Sequence, residues 1–139
     1  MERELLEVAR RAAAAGARTL AGFADRELAP AEKASRDFVT LADRASEAAV
    51  AAVIHQAFPG HAILAEESAG DFAAARDRRG VLWVVDPLDG TTNFIHGYPA
   101  YAVSVAALVD GAPLAGVVVD VARGQEFWAA RGSGAFLGE

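Results

Sequence analysis

At 139 residues and 53% hydrophobic, the chain fits one domain, residues 1–139, with enough apolar content to bury a core and exclude wholesale disorder. A net charge of −6 offers no basic face for nucleic acid, and the absence of cysteine excludes disulfides, thiolate zinc sites and cysteine nucleophiles. Met1-Glu2-Arg3-Glu4 lacks the basic start of a signal peptide and no apolar run is long enough to span a bilayer, so a cytoplasmic protein without membrane partners is expected.

Leu5, Ala9, Ala12, Gly16, Leu20 and Phe23 recur at steps of three and four. This spacing predicts an amphipathic helix with a small-residue face for close packing, ending before Pro30. Ala31 to Val39, carrying Lys33, Arg36 and Asp37, reads as a loop or small hairpin. Thr40-x-x-Asp43 matches a capping box, and Val50, Val53, Ile54 and Ala57 continue a second helix to the breaker Phe58-Pro59-Gly60. His61 to Ala65 reads as a strand running into Glu66-Glu67-Ser68, and Asp71 to Gly80 as a charged, exposed stretch. Val81 to Val85 is a continuous apolar run, as in a strand buried on both faces. Tyr101–Val109, Leu114–Val121 and Glu126–Ala130 predict an antiparallel meander with Asp110-Gly111 at its first corner and Arg123-Gly124-Gln125 at its second. Arg131 to Ala135 is a glycine-rich exit. The pattern is α+β: two helices on a largely antiparallel sheet that needs cover on both faces.

Chemistry concentrates in Trp83-Val84-Val85-Asp86-Pro87-Leu88-Asp89-Gly90-Thr91-Thr92-Asn93-Phe94, where an apolar strand ends in acids and a tight turn. Asp86 and Asp89 alone are also explained as turn residues, and Glu66-Glu67 as a solvated charge pair. Glycine and hydroxyl residues directly after the acids add a backbone that can approach an anion, which makes sense beside carboxylates only if cations sit between. Several carboxylates and no soft ligand suit Mg²⁺ or Mn²⁺, which can orient a phosphate and activate water. Asp43 reads here as part of the capping box, Lys33 as a solvated lysine or a phosphate contact, and His55, His61 and His96 as surface or packing residues. Trp83 and Trp128 read as packing residues.

The stretch Trp83–Phe94 resembles the signature of the inositol monophosphatase family, Mg²⁺-dependent, lithium-sensitive phosphatases. Lys33, Asp37-Phe38-Val39-Thr40-x-x-Asp43, Glu66-Glu67-Ser68 and Gly132-x-Gly134-Ala135-Phe136 follow the family's order, and Ala65 departs from it where glycine is usual. The resemblance implies the N-terminal α+β half of a layered αβαβα sandwich. It also implies a phosphomonoesterase acting on inositol monophosphate or a similar small sugar or polyol phosphate, by direct attack of a metal-activated water. Carried over by position, Glu66, Asp86, the Leu88 carbonyl and Asp89 would hold two or three Mg²⁺ ions, with Asp86 bridging two of them. Glu66, Leu88, Asp89, Gly90 and Thr91 would face the substrate phosphate, Gly90 and Thr91 through their N–H groups. The Thr91 hydroxyl paired with Asp43 would activate water beside Glu66, replacing the capping role of Asp43, with Glu67 and Lys33 just outside the ligands. Thr91-Thr92-Asn93 favours the inositol monophosphatase branch over relatives acting on histidinol phosphate or nucleotide 3′,5′-bisphosphate; these and fructose 1,6-bisphosphate are the alternative substrates. Family members are about twice this length, an estimate that the resemblance gives and domain-size rules do not. Their second half carries a Trp-Asp-x-Ala motif, and neither Trp83 nor Trp128 precedes an aspartate. The resemblance therefore leaves two expectations open: an enzyme, expected as a homodimer, or a non-catalytic metal- or phosphate-binding half that acts through self-association or a partner chain along its apolar C-terminal sheet edge.

Overall fold

A computed structural model of the chain describes residues 1–65 and 77–139. Glu66, Glu67 and the charged stretch after them up to residue 76 lie outside the described residues.

The first helix, α1 (Glu2–Ala24), buries the stripe that its spacing predicts, including Leu5, Ala9, Ala12, Gly16, Leu20 and Phe23. Its small-residue face brings the helix carrying Ser46 and Val50 close: a Cβ added at Gly16 would lie 2.8 Å from Val50 Cγ2 and 2.9 Å from Ser46 Oγ. Between the helices the chain is not a hairpin. Pro30–Lys33 forms a single turn, α2, with proline at its start, where the missing N–H costs no hydrogen bond. The next helix, α3 (Arg36–Ala57), begins four residues before Thr40, because Ser35 is the cap and its Oγ accepts from the Phe38 N–H at 3.1 Å. Thr40 and Asp43 are therefore interior helix residues, and the capping box is not used. Phe38, Val39, Ala42, Ser46, Val50 and Ile54 form its buried side.

The strands are β1 (Ala62–Ala65), β2 (Val81–Asp89), β3 (Ala102–Val109), β4 (Ala112–Asp120), β5 (Gln125–Ala130) and β6 (Gly134–Leu137), with a short helix, α4 (Thr91–Ile95), after β2. Among the described residues they pair in chain order in one sheet of six; β1 and β2 are parallel and every other pair is antiparallel. Asp110 (φ 51°) and Gly111 (φ 82°) join β3 to β4 in a two-residue corner with both residues left-handed, the twist that hairpins favour. The glycine-rich exit is a further hairpin into an edge strand, β6, whose Phe136 stacks on Trp128 at 4.4 Å.

Alternation along the strands sets one main core. Trp83, Val85, Val103, Val105, Val117 and Val119 face α1 and α3. Arg10 on α1 reaches Glu126 on β5 at 2.6 Å and lies over the Trp128 ring, fixing the helix across the far strands. Sequence predicts cover on both faces, but among the described residues the helices cover one. The other face carries a small cluster around Leu64 and Leu82 and exposes Val118 (41%), Phe127 (43%) and Leu137 (57%).

Candidate functional site

The site grows from the one place where the central strand departs from regularity. Through Val85, β2 is held on both sides, by Ala65 of β1 and Val105 of β3. Beyond Asp86, which pairs with Ser104, the register slips before Asp89 pairs with Ala102. Pro87 sits in that slip; having no N–H, it cannot continue a ladder, and a bulge is where a strand tolerates it. Its carbonyl finds a partner elsewhere: the fully buried Ser46 hydroxyl of α3 donates to Pro87 O at 2.7 Å. The strand therefore carries its acids past the end of β1 on a bent, tethered segment.

Gly90 ends this segment with φ 91°, and a Cβ there would come within 2.9 Å of the Ala100 carbonyl oxygen. Only glycine fits both the conformation and the space. Thr91 then opens α4, whose Phe94 is buried against Phe38 of α3 and Tyr101, with ring centroids 6.3 and 5.0 Å apart. This packing holds Thr91 against the flank of α3.

The result is a cavity of about 710 Å³ whose walls include Thr40, Asp43, Glu47, His55, Ala65 and Thr91. Asp43 and Thr91, separated in sequence by the whole of β1 and β2, line the same space, and Ala65 at the end of β1 opens into it. Asp43 and Asp86 each keep Oδ1 out of contact with solvent. The pairing of Ala65 with Val85 sets the end of β1 beside the residue that precedes Asp86. Among the described residues no group of three His, Asp or Glu side chains forms a metal cluster. The expected ligand set includes Glu66, which with Glu67 lies outside them.

Lys33 is placed elsewhere. Its Nζ donates to Ala24 O at 2.7 Å, closing the end of α1, and it lines a separate cavity of about 470 Å³ with Phe38, His96 and Tyr101. His61 is a packing residue: the Trp83 indole N–H donates to its Nδ1 at 3.0 Å, and burial lowers its pKa. Sequence reasoning missed Glu47 and His55 as lining residues. Their signal was the four-residue step from Asp43 along the predicted second helix, which sets Asp43, Glu47 and His55 on one face.

The family model for the inositol monophosphatase family matches residues 1–139. The chain belongs to the inositol monophosphatase family. It is 48% identical over 106 residues to the Nus factor SuhB of Pseudomonas aeruginosa, covering 76% of this chain and 39% of that protein. Among solved structures it superposes on inositol monophosphatase-II from Staphylococcus aureus with a TM-score of 0.82 at 32% identity, over 98% of this chain and 49% of that one. It also superposes on SaIMPase-II solved with inositol monophosphate bound, with a TM-score of 0.74 at 30% identity, over 94% of this chain and 45% of that one. This member of the family thus spans half or less of the length of each of these relatives. The family assignment accords with the α+β half-sandwich that the sequence resemblance implies, here four helices and a mixed six-stranded sheet among the described residues.

Proposed function

We propose that this chain carries the metal- and phosphate-handling part of a Mg²⁺-dependent phosphomonoesterase that hydrolyses inositol monophosphate or a similar small polyol or sugar phosphate. The observation that carries this reading is the bent end of β2: Asp86 and Asp89 flank a proline bulge immediately before a left-handed Gly90 and Thr91, and Thr91 shares a cavity with Asp43.

The donors fit a hard cation. Asp86 and Asp89 contribute carboxylates, the Leu88 backbone a carbonyl, and no sulfur or clustered imidazole competes. With Glu66 they would hold two or three Mg²⁺ ions, and Mn²⁺ suits the same oxygens. When bound, such ions neutralise phosphate oxygens and lower the pKa of water. The protein's part is orientation. Asp89, Gly90 and Thr91 present one side chain and two backbone N–H groups from a turn that packing fixes. The Thr91 hydroxyl would donate to Asp43 and accept a hydrogen bond from a water, aiming its oxygen in line with the ester bond. As that oxygen bonds to phosphorus, the water's proton passes to Thr91 and the Thr91 proton to Asp43, while the ester P–O bond breaks and the alkoxide leaves to take a proton from solvent. By position in the family pattern, Glu66 would hold the same water and Glu67 would support the ligands. Asp43 keeps one oxygen away from solvent, which suits a base that must not be screened by bulk water. The inositol monophosphate-bound relative supports that substrate class.

A second reading is a non-catalytic metal-binding half that works with a partner chain, and the open face bearing Val118, Phe127 and Leu137 favours it. One assay separates them. Incubated with Mg²⁺ and inositol 1-phosphate, the chain should release inorganic phosphate, and chelation or lithium should stop it. Metal binding without release would overturn the catalytic reading and select the second.

A further inference from the structure

Asn93 makes two contacts that no step above uses. Its side-chain amide donates to Ala100 O at 2.8 Å, and its own carbonyl accepts from the Tyr98 N–H at 2.8 Å. One residue thus clasps both ends of the short loop from Tyr98 to Ala100. The Ala100 carbonyl is also the atom that a Cβ on Gly90 would approach to 2.9 Å. It is therefore wedged between the left-handed turn and the Asn93 amide. On the other side, the Phe94 N–H donates to Gly90 O at 3.0 Å, so the turn and the first residues of α4 form one hydrogen-bonded unit. That unit begins at Asp89, whose main chain pairs with Ala102 just after the same loop.

We infer that Asn93 is a positioning residue. It touches neither metal nor substrate but fixes the Ala100 carbonyl, and through it the backbone of Gly90 and the direction in which Asp89 presents its carboxylate. Only a side chain with an N–H donor at this length does so. An apolar replacement leaves the Ala100 carbonyl without that donor and frees it to turn, and Gly90, lacking a side chain of its own, follows. Upstream, Asp86 is held independently by its pairing with Ser104 and by the Ser46 tether at Pro87.

This inference rests on the metal reading of Asp86 and Asp89, and the test uses the metal alone. Mn²⁺ is titrated into the wild-type chain, its Asn93→Ala variant and a Val117→Ala variant, which truncates a buried core side chain on β4, separated from β2 by β3. Asn93→Ala should weaken Mn²⁺ binding about tenfold, the equivalent of one lost hydrogen bond in the ligand's support. Val117→Ala should lower the melting temperature and leave Mn²⁺ affinity at the wild-type value. Wild-type affinity in Asn93→Ala would overturn the inference and leave the metal site standing. Equal weakening in both variants would also overturn it, because loss of stability would then suffice. A wild-type chain that binds no Mn²⁺ would overturn the metal reading and this inference with it.

Discussion

Gly90→Ala tests whether the turn after β2 is as tightly specified as its surroundings imply. Gly90 (φ 91°) and Gly97 (φ 70°) are both left-handed, but a Cβ at Gly97 meets nothing within 4 Å, whereas at Gly90 it meets Ala100 O at 2.9 Å and Tyr101 Cα at 3.3 Å. Both substitutions force an L side chain into the left-handed region, at about 1–2 kcal/mol. Both gain back about 0.5–1 kcal/mol from a stiffer unfolded chain. Gly97→Ala should therefore destabilise by roughly 0–1.5 kcal/mol. Gly90→Ala adds a contact with backbone that has no flexible end to move, worth about 1–3 kcal/mol more. Guanidinium unfolding of both variants isolates the steric part as their difference. Equal losses would refute the claim that Ala100 and Gly90 are packed against each other, and with it the geometric basis for the role of Asn93.

Ser46→Ala strands the Pro87 carbonyl, and with the hydroxyl fully buried the loss should be about 1–2 kcal/mol by urea denaturation. A change within error would mean that the bulge is not tethered. The pH dependence follows from His61, whose pKa burial lowers below the ordinary 6.5. The unfolded state then takes up the proton first, so His61's contribution to stability is complete above pH 6.5 and is lost as pH falls from there towards the native value. Urea midpoints at pH 7.5 and pH 5 should show this step, and His61→Asn should flatten it; an unchanged step would assign it to other groups.

The parts legible in sequence were those with a strong local period. The stripe from Leu5 to Phe23 predicts α1 residue by residue, and Asp110-Gly111 marks the β3–β4 corner, because both signals are set by neighbours in the chain. The start of α3 was missed because a capping-box pattern at Thr40 competes with the plainer cap at Ser35. Ser46 is buried for a reason no local pattern carries: its partner, Pro87, is 41 residues away. The strand through Pro87 was hidden likewise, since proline argues against a strand unless a bulge receives it. At the site, Asp43 could be paired with Thr91 by resemblance alone; the shared cavity depends on how α4 packs on α3 through Phe94 and Phe38. Glu47 and His55 share a helix face with Asp43 in the sequence, but that this face lines a cavity with Ala65 and Thr91 depends on the tertiary fold, and the clasp of Asn93 on Ala100 needed the loop between them.

The central claim is that the bent end of β2 holds a divalent cation, and the most direct measurement is Mn²⁺ binding by the wild-type chain and by Asp86→Asn, followed by electron paramagnetic resonance or calorimetry. The wild type should bind. The variant, nearly isosteric but without the charge, should keep its circular dichroism spectrum and bind roughly tenfold or more weakly. Equal affinity in the two proteins would contradict the account.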